Sequence, residues 1–246
     1  MSLPVHVVPS LVGVAVGSAV EVTGDEAHHA VAVRRLRVGE PVVLTDGAGR
    51  AVTGEVASTG KRVFTVTVAS VDDAERPQPE LVVVQALPKG DRGELAVEVL
   101  TEIGTARIVP WAAARSVAVW KGERAVKSLA RWRSTAREAA KQARRSWFPE
   151  VTDLATTADV AALLGAAALG VVLHEDASVP LAGLEVPTSG PVVVVVGPEG
   201  GLTDEEVATF VAAGATSVRL GAEVLRTSTA GLAAASALLA RTRRWS

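Results

Sequence analysis

"VVVVVGPEGGLTDEEV", residues 192–207, sets five valines against a glycine-rich turn and then the opening of a helix. Valines on both alternating faces predict a strand buried on both sides, the condition of a parallel sheet covered by helices. Thr203 and Glu206 have the spacing of a capping box, and Leu202 and Val207 that of a hydrophobic staple. With Gly214 as the stop signal, a helix is predicted over 203–213. Strand, loop and helix in this order form the repeat of an α/β fold.

The loop itself is unusual. Asp204, Glu205 and Glu206 in the first turn favour the helix dipole but cancel its attraction for anions. A Walker loop needs Gly-Lys-Ser/Thr, and a dinucleotide fingerprint needs G-x-G-x-x-G after the first strand. "GPEGG" has neither, and it follows one of the last strands. Two readings stay open. One is a tight turn that uses glycine for its positive φ. The other is a backbone that approaches a ligand at the carboxyl ends of parallel strands. An acidic surround then favours a ligand neutral or cationic at its reactive centre, such as the sulfonium of S-adenosylmethionine.

Outward from this stretch the alternation continues. "LVVVQAL" (81–87), "PKGDRG", a helical stretch to Gly104 and "ARIVP" read as a βαβ unit. Further strands are predicted near 169–173 and 216–220, and helices near 154–167 and 229–242. The loops "LHED" (173–176) and "LGAEVLRTSTAG" (220–231) would then join "GPEGG" at one end of the sheet. Upstream the pattern changes. "RVFTVTVASV" (62–71) alternates with period 2, and Asp46-Gly47 separates two strand-like runs as a hairpin turn does. One short helix is expected over 25–36. The organisation expected is a small β-barrel over 1–72, a proline-containing linker over 73–80 and an α/β domain over 81–246.

The 246 residues are 48% hydrophobic and 21% charged, enough apolar material for a sizeable core. Cysteine is absent, which excludes disulfides and thiolate metal sites and fits a reducing cytoplasm. The start of the chain has no basic segment and carries Pro4 and Pro9, so no signal peptide is expected. The longest apolar run, 160–173, falls short of the roughly 18 residues of a membrane span, so a soluble chain is expected. Net charge is −2, yet 121–145 holds nine Lys or Arg against Glu123 and Glu138. Such asymmetry marks either a solvated helix face or an electrostatic footprint for a polyanion.

In combination, "VVGPEGGLTDEEV" and "VRLGAEVLRTSTA" resemble the SPOUT class of methyltransferases. The similarity is to the family that methylates N3 of a uridine in 16S ribosomal RNA. "ALPKGDRGELAVEVLTEIGTARIVPW", the "RS" at 115–116, "RWRSTAREAAKQARR", "VLHE" and the early "HHAVAVRRLRVGE" fall in the order of that family, over nearly the whole chain. The resemblance implies an α/β parallel-sheet domain closed by a trefoil knot, a PUA-like N-terminal barrel that contacts RNA, and a homodimer. It also implies S-adenosylmethionine as cofactor without a metal, and 16S rRNA or the assembled small subunit as partner. By matching motif, cofactor contacts fall on Leu173, His174 and Glu175, on Gly197, Pro198, Glu199, Gly200 and Gly201, and on Leu220, Gly221, Val224, Leu225, Arg226 and Thr227. One departure is clear: Ser228 stands where the family commonly has glutamate, which puts in doubt any base at that position.

Methylating N3 of uracil requires loss of an imide proton and alignment of nitrogen, methyl and sulfur. Arg226 is the candidate to stabilise charge on a uracil oxygen, or else a member of a structural ion pair. Glu199 is a candidate base or ligand-orienting group, or else a loop carboxylate. Ser228 and Thr229 either meet substrate or cap the last helix, and His174 either acts as base or hydrogen-bonds structurally. Leu129, Trp132, Ala136, Ala139, Ala140 and Ala143 make one apolar stripe on the basic helix. Phosphate contacts are expected from Arg137, Lys141, Arg144 and Arg145 there, from Arg34, Arg35 and Arg37 in the barrel, and from Lys89 and Arg92. The small-residue last helix either packs in the core or meets a second subunit. Two rival classes remain: an RNA-binding protein without catalysis, and a nucleotide-binding enzyme.

Overall fold

In the first of two compact units, strands of clear period 2 curl into a five-stranded sheet. The computed structural model describes residues 3–245. The first unit runs to Arg76 and takes back Lys141–Phe148, whereas the second holds Pro77–Ala140 and the chain from Pro149 onward. That return was not expected from a contiguous reading of 81–246.

The first unit contains β1 (Val5–Val7), β2 (Ala19–Thr23), α1 (Gly24–His28), β3 (Pro41–Thr45), β4 (Arg50–Thr59) and β5 (Val63–Asp73). The sheet order is β1-β3-β4-β5-β2, parallel only between β1 and β3. Register shifts at Thr53/Gly54 and Val56/Ser58 bend the long β4–β5 pair, as bulges do. Phe64, Val66 and Val68 point inward with Leu11, Val42, Leu44, Val52 and Val56. The helix expected over 25–36 is shorter: α1 passes into a single π-turn, His29–Val33. Segment 141–148 packs on the β3–β4 turn, where the Trp147 indole N–H donates to the Ala74 carbonyl at 2.9 Å. Gly49 is flush against that ring, and a Cβ there would lie 2.4 Å from it.

Lys141 corrects the sequence reading. Instead of awaiting a phosphate, its ammonium sits 2.9 and 3.1 Å from the two oxygens of Glu26, and its side chain is only 11% exposed. His6 Nδ1 lies 3.1 Å from Glu26 Oε1. The ionised carboxylate can only accept, so Nδ1 carries the proton. Burial works against the Glu26 charge, but the His6 and Lys141 hydrogen bonds outweigh it and hold its pKa at about 2, below the usual 4.5.

The second unit alternates β6 (Glu80–Ala86), α2 (Arg92–Glu102), β7 (Arg107–Trp111), α3 (Gly122–Gln142), β8 (Glu150–Val151), α4 (Thr157–Gly165), β9 (Leu169–Leu173), β10 (Val179–Pro180), β11 (Pro191–Val196), α5 (Asp204–Ala212), β12 (Thr216–Arg219) and α6 (Thr227–Leu239). Its seven strands are all parallel, in the order β10-β12-β9-β11-β6-β7-β8. β6 and β11 lie at the centre, buried on both faces, which is why their sequences are unbroken apolar runs. Val83, Val194 and Val196 meet Leu100, Trp132, Ala234 and Leu238 on one side. Val84, Val193 and Val195 meet Val160, Leu164 and Phe210 on the other.

The last helix resolves toward core packing on its buried face. A Cβ on Gly231 would lie 3.2–3.5 Å from Leu100, Val196 and Val83, so small residues let α6 press onto β6 and β11. Along α3 the stripe Trp132, Ala136, Ala139 and Ala140 is buried, but Ala143 lies past the helix end and is exposed. Arg131 pairs with Glu94 at 3.0 Å and Arg133 with Asp153 at 2.9 Å. No helix among the described residues is long and apolar enough to cross a membrane.

The depressed Glu26 pKa stabilises the first unit above pH 4.5, and that contribution disappears as pH falls through about 2. Glu26→Gln is expected to cost roughly 3 kcal/mol at pH 7 by leaving Lys141 without its counter-charge. Urea denaturation followed from pH 7 to pH 2 should show the variant's deficit shrinking as the wild type loses the same contribution.

Candidate active site

Parallel strands share one carboxyl edge, so the loops leaving β6, β7, β9, β11 and β12 converge there. They enclose a cavity of about 830 Å³. Leu173, His174 and Glu175 form one wall, Gly197–Gly201 a second, and Leu220, Gly221, Val224, Leu225, Arg226 and Thr227 a third. Lys89 and Arg92 enter from the β6 side, and Arg115 and Val117 from the β7 loop.

The walls are stitched together by hydrogen bonds between distant segments. The Thr227 hydroxyl donates to the Gly197 carbonyl, joining the start of α6 to the end of β11. The fully buried Gln85 side chain donates to the carbonyls of Ala86 at 3.1 Å and Thr227 at 3.3 Å. His174 N–H continues the β9–β12 pairing by donating to the Val218 carbonyl at 2.9 Å, a structural role for its backbone.

The glycine loop is shaped by both φ and crowding. Gly201 sits at φ +71° and donates its N–H to the Pro198 carbonyl at 3.0 Å. A Cβ on Gly200 would lie 3.1 Å from the Cβ and carbonyl oxygen of Arg115. The capping box forms as expected: Thr203 N–H donates to Glu206 Oε2 at 2.9 Å, and Glu206 N–H to Thr203 Oγ1 at 3.1 Å. Glu206 is nevertheless buried, and its second oxygen accepts the Ala114 N–H at 2.8 Å. Arg115 then closes the contact from the other side, its Nη1 donating to the carbonyls of Leu202 at 3.0 Å and Gly200 at 3.4 Å.

Arg226 stands at the N-cap of α6 with an exposed side chain. Its guanidinium makes no hydrogen bond or ion pair among the described residues, which removes the structural ion-pair reading. Glu199 is exposed, and its Oε1 accepts the Lys89 backbone N–H at 3.1 Å. Ser228 is buried and does not line the cavity. Neither Ser228 nor Thr229 caps the helix, which removes one of the two readings given to them; the Thr229 hydroxyl donates back to the Arg226 carbonyl at 3.3 Å.

The acidic surround expected from the α5 sequence is only half of the picture. Glu206 is consumed by backbone hydrogen bonds, while Glu175, Asp176, Glu199, Asp204 and Glu223 on the walls are matched by Lys89, Arg92, Arg115, Arg219 and Arg226. Those cations come from the ends of three separate strands, β6, β7 and β12, and nothing local in the sequence brings them to the glycine turn. Arg115 and Arg219 were missed as site residues for the same reason. The described residues contain no cluster of His, Asp or Glu arranged to hold a metal ion. The arrangement suits a small molecule gripped largely by backbone, beside a cation free to meet developing negative charge.

Comparison with known proteins agrees with this geometry. Residues 74–239 match a family model described as RNA methyltransferase domain, and residues 22–69 one described as RNA methyltransferase PUA domain. The Ribosomal RNA small subunit methyltransferase E of Mycobacterium tuberculosis is 42% identical over 233 residues, 93% of this chain and 89% of the relative. The protein of that description from Bacillus subtilis is 31% identical and covers 88% of each chain. The crystal structure of a Ribosomal RNA small subunit methyltransferase E from Neisseria gonorrhoeae, bound to S-adenosyl methionine, superposes with a TM-score of 0.86 at 27% identity, covering 97% of this chain and 98% of that one.

Arg115→Ala frees the carbonyls of Gly200 and Leu202 while leaving the sheet intact. Amide hydrogen exchange across 199–204 is expected to accelerate about tenfold, the equivalent of about 1.4 kcal/mol of local opening, with the global unfolding transition unmoved.

Proposed function

The chain belongs to the RNA methyltransferase family, and from that membership we propose that it methylates N3 of a uridine in the 16S RNA of the small ribosomal subunit, with S-adenosylmethionine as methyl donor. The observation that carries the reading is the backbone-lined cavity at the carboxyl edge, with the unpaired Arg226 guanidinium in its wall.

The residues present fit the cofactor. A volume of about 830 Å³ suits a ligand of this size. Gly200 and Gly201 place side-chain-free backbone on the cavity wall, and wall carboxylates Glu175, Asp176 and Glu223 complement a positive charge. The predicted contacts Leu173, His174, Glu175, Gly197–Gly201, Leu220, Gly221, Val224, Leu225, Arg226 and Thr227 would hold it. When bound, it supplies an electrophilic methyl group on a sulfonium.

The chain's own part is positioning and charge control. Arg226 donates to a uracil oxygen and stabilises the negative charge left when N3 loses its proton. Glu199 receives that proton: Lys89 N–H fixes Oε1, and Oε2 has no partner among the described residues. Ser228 is buried outside the cavity lining, so no proton acceptor is drawn from that position.

RNA contact falls to Arg34, Arg35 and Arg37, to Lys89 and Arg92 at the cavity, and to the exposed Arg124, Lys127 and Arg137 of α3. Lys141 leaves this set because Glu26 holds it, and Arg144 and Arg145 are engaged by other groups of the chain. A knotted C-terminal path belongs to the same reading, with Arg241 donating to the carbonyls of Leu181 and Leu184 in the β10–β11 connection beside it. So do a homodimer and a cytoplasmic location alongside the ribosome.

Mass-spectrometric mapping of methylated uridines in ribosomal RNA, with and without the protein, tests the activity directly; an unchanged map would overturn it. Arg226→Ala is expected to lower kcat by at least about a hundredfold with RNA binding retained, and Glu199→Gln by about tenfold to a hundredfold. Replacing Arg124, Lys127 and Arg137 together with alanine should weaken RNA binding and flatten its salt dependence by about two to three charges. A slope equal to that of the wild type would return α3 to a structural role.

A further inference from the structure

Alternation along β6 gives it two rows of side chains. Val82, Val84 and Ala86 form one row, apolar throughout. Leu81, Val83 and Gln85 form the other, continued by Leu87, and here Gln85 interrupts an apolar series although it is completely buried. Its Oε1 accepts no hydrogen bond among the described residues. A leucine would fill such a place without leaving a polar atom unpaired, so packing does not account for the amide. Two carbonyl oxygens face it, those of Ala86 at 3.1 Å and Thr227 at 3.3 Å. Only the NH2 end can donate to them, which settles the way the amide points.

Thr227 is the first residue of α6 and follows Arg226 directly. The Arg226 carbonyl accepts the N–H groups of Thr229 and Ala230, each at 2.9 Å, so its backbone moves with the helix cap. Among the described residues, side-chain hydrogen bonds tie that cap to the sheet at two points. The Thr227 hydroxyl reaches the Gly197 carbonyl just past β11, and the Gln85 amide reaches the Thr227 carbonyl from the end of β6. One turn further on, Gly231 packs against Val83 and Val196 and holds the helix axis, but not the peptide that carries Arg226. With no internal partner for its guanidinium, Arg226 takes its position from its backbone alone.

Resting on the RNA-methylating reading above, we infer that Gln85 is a positioning residue for the reaction: its buried amide holds the first peptide of α6 and so fixes where Arg226 enters the cavity. Gln85 lies outside the cavity lining, whereas Gly197, Arg226 and Thr227 are all part of it. Its effect therefore passes through Arg226. A cation that meets charge only as N3 loses its proton has to be in place beforehand. Misplacement by about 1 Å is enough to slow such a step roughly a hundredfold.

The test uses the full chain and Gln85→Met, which keeps the length and volume of the side chain and removes the donor. Methyl transfer is measured on 16S ribosomal RNA, supplied free and as small subunits, beside calorimetry of S-adenosylmethionine binding and thermal unfolding. The variant is expected to lose about tenfold in kcat, with KM for RNA and cofactor affinity within about twofold of wild type and no lower unfolding temperature. In an Arg226→Ala background the same change should cost less than about twofold more, because the group it positions is gone. Wild-type kcat in Gln85→Met would overturn the inference, and so would a full tenfold further loss in the Arg226→Ala background. A loss of activity matched by loss of fold or of cofactor affinity would overturn it too, since the amide would then support the core and not the arginine. Wild-type protein that transfers no methyl group to either form of the RNA would overturn the RNA-methylating reading, and this inference with it.

Discussion

Parallel pairing of β6 with β11 is the constraint on which the second unit depends. Six residue pairs in register, Glu80 with Pro191 through Gln85 with Val196, place both strand ends at the same level. Parallel strands cannot be joined by tight turns, so each connection crosses a face of the sheet, and both faces are closed by helices. The loops that leave the strands are thereby gathered at the carboxyl edge. Gln85, at the end of the register, then bonds to Thr227 rather than to solvent, while its register partner Val196 lines the cavity.

Carboxylates do three different tasks in this chain, and their surroundings decide which. Glu206 is buried and spends both oxygens on backbone N–H groups, fastening the β7 loop to the start of α5. Glu26 is half-buried against His6 and Lys141 and holds the returning segment within the first unit. Glu199 keeps one oxygen fixed and one unpartnered on the cavity wall, the condition for accepting a proton. Cations divide in the same way. Arg115 and Lys141 are committed to internal acceptors, whereas Arg226 and Arg35 are not. Charge count alone therefore misjudges the surface available to RNA, and the cations held by internal acceptors have to be removed from it first.

Much of the fold was legible because apolar period and caps are local properties. The all-valine run 192–196 could be satisfied only by burial on both faces, and Thr203 with Glu206 fixed where the helix starts whatever surrounds it. Phe64, Val66 and Val68 likewise announced the inner face of β5. The site was legible in its three glycine- and leucine-rich loops, since their place after predicted strands implied a shared edge. What stayed hidden were partners separated by long stretches of chain: Arg115 on Leu202, Gln85 on Thr227, Lys141 on Glu26. No pattern within a window of sequence distinguishes a lysine that will meet phosphate from one that will meet an internal glutamate.

By itself, then, the sequence determined the order of strands and helices, the caps that bound them and the loops that gather at one edge, because each follows from the chemistry of neighbouring residues. Only the tertiary structure decided which charges remain free, that Ser228 lies outside the cavity, and that the acids of the cavity walls face an equal number of cations. The reason is physical: a charged side chain takes its role from the group opposite it, and that group is brought there by the fold.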